Sequence, residues 1–173
     1  NKIIITIDGP AASGKGKIAK YITRKWKLNH LDSGILYRRL GFIIIKNKIN
    51  CNSSKDIEIF IKNIKYLSFR KNKNLRTEEI SKIASKIAVF SFVRNLINKF
   101  QRDYVKSHSN KKGYVIDGRD IGSVVFKKAD LKLYIEVKSE IRAKRRHKQL
   151  IDLGEKSIYA EILKEIKLRD RQD

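Results

Sequence analysis

Apolar residues recur along the chain in two alternating periods. Residues 3–7 form a largely apolar run of strand length, and residues 18–26 switch to helical spacing. A short turn leads into residues 30–34, which read as a strand end running into a loop, and the helical period resumes over 35–45. Ser53 and Asp56 stand at capping-box spacing ahead of a helical run over 57–64. Residues 66–69 predict one arm of a small hairpin, with the basic, Asn-rich residues 70–74 as its turn. Thr77 predicts an N-cap with Glu78 and Glu79 in the first turn, after which Ile80, Ile83, Ala84, Ile87 and Ala88 repeat at helical spacing. Val93, Leu96, Ile97 and Phe100 share one face of a following helix. Residues 114–116 predict a short strand ending in Asp117. Leu131, Leu133, Ile135 and Val137 alternate as a strand does, and helices over 139–153 and 159–169 complete the order.

Strands separated by helices imply βαβ units, hence an α/β fold with a mostly parallel sheet and helices on both faces. Ligands gather at the carboxyl ends of such strands, which here carry Asp8, Asp32, Asp117 and the loop after Val137. The first strand runs directly into GPAASGKGK, residues 9–17, which opens a helix. Gly9 and Gly14 let the backbone curl so that amide N–H groups surround an anion, and Lys15 brings a charge to the distal phosphates. The helix N-terminus adds its dipole. The spacing fits a P-loop, so Gly9, Pro10, Ala11, Ala12, Ser13, Gly14, Lys15, Gly16 and Lys17 are expected to line the phosphates of a nucleotide. The hydroxyl residue usual after the lysine is replaced by Gly16, which leaves the metal ligand open.

Composition narrows the class. A chain of 173 residues with 41% hydrophobic and 34% charged residues fits one globular domain. Its apolar runs fall far short of the ~20 residues a spanning helix needs, and the N-terminus enters the P-loop strand without a signal-like segment, so the expectation is a cytoplasmic protein. Cys51 is the single cysteine, which excludes an internal disulfide. The net charge of +23 raises nucleic-acid binding. The lysines are spread along the chain among Ile and Asn, however, and a polyphosphate substrate also favours a positive cleft; nucleic acid is not the expected partner.

Three further segments, LDSGILYRR at 31–39, NLRTEEISKIASKIAVF at 74–90 and VIDGRDIGSVVF at 115–126, together with the P-loop, resemble bacterial cytidylate kinase across essentially the whole chain. The resemblance implies a P-loop NTPase-type sheet carrying a small acceptor-binding insertion (about 33–100) and a helical lid (about 139–173) in a single kinase domain, 1–173. It implies a monomer that transfers the γ-phosphoryl group of ATP, with Mg2+, to CMP or dCMP. Ser33, Tyr37 and Arg38 then match acceptor positions, Ser85, Arg94 and Asp120 the cytosine-recognising ones, and Arg119 an acceptor-phosphate contact. A carboxylate accepting from the exocyclic amino group of cytosine, beside Arg and Ser donors, makes chemical sense. Arg169 and Asp173 match the start of the family's R-D-x-x-D-x-x-R motif at the acceptor nucleotide. Arg142, Arg145 and Arg146 match the lid arginines over the donor triphosphate. Lys15, Arg119, Arg142 and Arg145 are the expected catalytic set, and Asp117 is expected to reach the P-loop or a magnesium-bound water.

Plainer readings stand beside these: Ser85 as a helix-packing residue, Asp117 as a helix cap, Arg38, Arg39 and the lid arginines as solvated helix residues. A uridylate-preferring kinase and a basic nucleic-acid-binding protein on a kinase fold are the competing functions. The chain also departs from the family, which reads GKGT where this sequence has GKGK and has a longer segment between positions 66 and 75. The family's final strand and helix lie beyond Asp173 and are expected to be absent here.

Overall fold

The computed structural model describes residues 2–108 and 112–172. Four parallel strands form its sheet: β1 (Ile3–Asp8), β2 (Asn29–Asp32), β3 (Gly113–Gly118) and β4 (Leu131–Tyr134), in the order β2-β3-β1-β4. The most apolar strand, β1, lies between two partners, where both of its backbone edges are satisfied. Registers of Asp8 with Gly118 and Tyr134, and of Asp32 with Asp117, bring the polar strand ends to one edge.

Helix α1 (Lys15–Trp26) covers one face, packing Ala19 and Ile22 on Ile5, Ile7 and Val115. The other face buries Leu31, Tyr114 and Ile116 against Val105 of α5 (Ser91–Ser107) and against Ile121 and Val125 of a π-helical turn, Ile121–Val125. A second core gathers Leu36, Leu40 and Ile44 of α2 (Ser33–Lys46), Ile57 and Ile61 of α3 (Ser54–Ile61), Ile87 of α4 (Glu78–Ile87), and Val93 and Ile97 of α5. Helices α6 (Ser139–Asp152) and α7 (Tyr159–Gln172) pair over their own small cluster of Ala143, Leu150, Ile162 and Ile166.

The expected caps form: Ser53 Oγ accepts from the Asp56 N–H at 3.2 Å, and Thr77 Oγ1 from that of Ile80 at 3.3 Å. Four expectations are corrected. Residues 66–69 are extended but form no strand; Leu67 is buried with Ile57 and Ile61, and Arg39 satisfies the Ser68 and Arg70 carbonyls in place of a strand partner. Helix α2 starts at Ser33, directly on the end of β2, with no intervening loop. Helix α3 ends at Ile61, before residue 64. Strand β4 stops at Tyr134, although the Ile135 N–H still donates to the Asp8 carbonyl at 2.8 Å.

Candidate functional site

The loop from β1 to α1 is shaped by close approach and left-handed backbone. A Cβ at Gly9 would lie 2.5 Å from the Ile135 carbonyl, and Ala12 and Gly14 have φ of +59° and +92°. Lys15 Nζ donates to the Pro10 carbonyl at 3.1 Å, so the amine bends back across its own loop. Lys17 is exposed in the first turn of α1. Ser13 Oγ is buried without a hydrogen-bond partner among the described residues.

Beneath the loop, Asp117 is only 4% exposed and hydrogen-bonds His30 Nε2 through Oδ1 at 2.5 Å. A Cβ at Gly16 would stand 3.7 Å from Asp117 Oδ2, which places that carboxylate against the start of α1. Asp32 is held above the usual carboxylate range by burial and then by Asp117, with Arg38 opposing. Burial and then Arg119 push the Lys15 amine down, against the pull of Asp117 and Asp32. A buried carboxylate, a half-buried one and a half-buried amine therefore share one electrostatic neighbourhood under the loop. Asp8 fastens it: its two carboxylate oxygens accept the Ile121 and Gly122 N–H groups at 2.7 and 2.8 Å.

The acceptor candidates flank this floor. Ser33 is buried at the first position of α2, against the end of β3, where a Cβ at Gly118 would lie 2.8 Å from its own Cβ. Burial pushes the Tyr37 phenol up to about 12, with Asp120 adding to the rise and Arg94 and Arg119 opposing it, so these four side chains face one another. Asp120 is exposed at a left-handed backbone position, φ +55°, and Arg94 Nη1 donates to the Ala88 and Val89 carbonyls, both at 3.1 Å. Arg119 is pushed down to about 10 by burial and then by Arg169. Arg169 is lowered by burial too; its Nη2 donates to the Ser81 carbonyl at 3.1 Å and to Ser85 Oγ, and Arg38 is among the charges acting on it. Arg119 and Arg38 thus act on Lys15, Arg169 on Arg119, and Arg38 on Arg169, a gathering of positive charge that anionic ligands relieve. Asp173 lies outside the described residues.

The lid candidates separate into three environments. Arg142 is buried, donating through Nε to the Val137 carbonyl at 2.8 Å and through Nη1 to the Ala11 carbonyl at 3.2 Å and to Asp170 Oδ1 at 2.9 Å. Arg145 is exposed, and a Cβ at Gly14 would stand 3.9 Å from its Nη1, which puts the guanidinium over the phosphate loop. Arg146 reaches Glu78 of α4 at 3.3 Å. Sequence reasoning passed over His30, Asp170 and the clamping role of Arg39; a buried Arg142 needing a carboxylate could have pointed to Asp170, next to Arg169.

A family model described as cytidylate kinase matches residues 5–173. The chain is 44% identical over 169 residues to the cytidylate kinase of Rickettsia rickettsii (strain Sheila Smith), covering 98% of this chain and 74% of that protein. It is likewise 44% identical to the cytidylate kinase of Rickettsia canadensis (strain McKiel), covering 98% and 75%. Among solved structures it resembles TT1252 from Thermus thermophilus, with a TM-score of 0.50 over 99% of this chain and 80% of that one; at 17% identity this likeness speaks for the fold alone.

Proposed function

This chain belongs to the cytidylate kinase family, and from that premise we propose how its own residues carry the family's reaction. The chain is a phosphotransferase that moves the γ-phosphoryl group of ATP to the 5′-phosphate of CMP, releasing ADP and CDP. We extend the acceptor to dCMP.

The observation that carries the reading is that Lys15 of the P-loop, Arg38, Arg119 and Arg169 are near enough for their charges to act on one another. An acceptor phosphate is already nucleophilic near neutral pH, so the protein's task is to align two anions and neutralise charge as the phosphoryl group passes between them. The loop amides and Lys15 hold the donor phosphates, releasing Lys15 from the Pro10 carbonyl. Arg38 and Arg119 take the acceptor phosphate, with Ser33 at its edge. Tyr37, Arg94, Asp120 and the Ser85–Arg169 pair line the base side, where Asp120 accepts from the cytosine amino group. Arg145 closes over the loop, while Arg142 fixes the lid helices to it. The acceptor residues just named fall within 33–100 and at 119, 120 and 169, and the lid within 139–173.

The donor set fits Mg2+: Asp117 and Asp32 offer hard oxygens beside the phosphate loop, as this ion takes with substrate phosphates and water. When bound, it would neutralise donor-phosphate charge. Lys17, an ammonium, cannot ligate it. No helix among the described residues is long and apolar enough to cross a membrane; we propose a cytoplasmic monomer that acts on nucleotides and not on nucleic acid.

ADP formation with ATP and Mg2+, offering CMP, dCMP, UMP, AMP and GMP separately, tests the reading. Turnover with CMP and dCMP, reduced at least about a hundredfold in Lys15→Ala, is expected. Preference for UMP, or no turnover by folded protein that retains ATP binding, would sink it.

A further inference from the structure

A second cavity lies away from the transfer cleft, on the outer edge of the sheet. It has a volume of about 380 Å³ and sits between β2 and the extended residues 66–70, with the end of α5 closing it. That volume falls in the range of small-molecule sites, roughly 300–1,000 Å³. Phe69 and Tyr104, packed edge to face at 4.8 Å, and Tyr66, which is exposed, contribute aromatic surface to its wall. Ser68 and His30 add polar groups that can read the donor and acceptor edge of a ring, and Arg70 adds an exposed positive charge.

His30 is the telling member. Its side chain is nine-tenths buried, its Nε2 is bonded to Asp117, and no hydrogen bond among the described residues uses its Nδ1. A buried imidazole with one nitrogen spent on the catalytic floor and the other unspent beside a cavity has a hydrogen bond to offer a ligand. Stacking surface, an edge-reading polar group and an arginine suit a heteroaromatic ring carrying an anionic group.

We propose that this cavity binds a nucleotide as an effector, with the base against Phe69 and the exposed Tyr66, the Tyr104 ring being already stacked on His108 at 3.9 Å, and the phosphates toward Arg70. The ligand is felt at the P-loop because His30 joins the cavity wall to Asp117, whose other oxygen lies against Gly16. A ligand that reorients the imidazole shifts that carboxylate with it.

The test uses protein whose transfer cleft is saturated with a bisubstrate analogue, adenosine and cytidine joined 5′ to 5′ through five phosphates. Calorimetric titration of CTP into this complex is expected to show one further molecule per chain. Arg70→Glu is expected to weaken that binding at least tenfold while leaving kcat for CMP unchanged. In the unblocked enzyme, CTP is expected to shift the KM for ATP more in the wild type than in Arg70→Glu. No further equivalent, or binding indifferent to Arg70→Glu, overturns the site; an equal KM shift in both proteins is competition in the cleft and overturns the link through His30.

Discussion

Arg142 donates to Asp170 across the lid, Nη1 to Oδ1 at 2.9 Å, and the same guanidinium reaches the Ala11 carbonyl of the phosphate loop at 3.2 Å. One side chain on α6 therefore ties α7 to the loop that holds the donor. Asp170→Ala leaves a guanidinium whose side chain is 4% exposed without its counter-ion. Arg142 keeps two carbonyl acceptors and Asp170 is partly solvated, so a loss of about 2 kcal/mol is expected, below the full cost of stranding a buried charge. Urea unfolding checks it, and an unchanged midpoint would show that the pair is not a tie. The KM for ATP is expected to rise with the loosened loop.

Lys17 occupies the place where the resemblance implies a threonine, and it is exposed beside the loop. Lys17→Thr exchanges an ammonium for a hydroxyl that can bind a metal or its water, at no cost in packing. The Mg2+ concentration giving half-maximal turnover is expected to fall roughly tenfold. An unchanged Mg2+ dependence would mean that Asp117 and Asp32 already meet the ion's needs.

Asp120 offers only acceptors, which suits the amino group of cytosine and repels the carbonyl of uracil. Asp120→Asn keeps its shape at a left-handed position that asparagine tolerates, and adds a donor. The ratio of kcat/KM for CMP over UMP is expected to fall at least about tenfold. Equal losses for both acceptors would place Asp120 away from the base.

Tyr37 is raised from its ordinary value near 10 to about 12, chiefly by burial. Between those limits the native phenol keeps a proton that the unfolded chain has released. Its stabilising contribution is therefore complete below pH 10 and is lost as pH climbs through about 12, on the order of 2–3 kcal/mol in all. Urea midpoints measured at several pH values across this window are expected to fall less steeply for Tyr37→Phe than for the wild type; parallel curves would show that the phenol is solvated.

The phosphate loop and its strand were legible in the sequence because every cue lies within residues 3–26: an apolar run, two glycines, a lysine and a helical period. Long-range fastenings were not. Nothing local says that Asp8 will hold the amides of Ile121 and Gly122, or that His30 will meet Asp117 across the sheet. Arg39 read as an ordinary helix residue, yet its guanidinium binds the Ser68 and Arg70 carbonyls. For the same reason the hairpin expected at residues 66–69 failed: β propensity describes a residue's fit to a sheet, and here a single side chain took the place of the partner strand. The family motifs offered candidate acceptor positions, while their mutual electrostatics needed the fold.

The strand order sets a timetable for synthesis. Strand β1 is made before either of its neighbours, β3 and β4, which come more than 100 residues later. At roughly 5–20 residues per second, β1 waits on the order of 5–20 s with both edges unpaired. The strand that will present the phosphate loop is thus the one whose apolar residues spend longest without a partner while the ribosome is still at work.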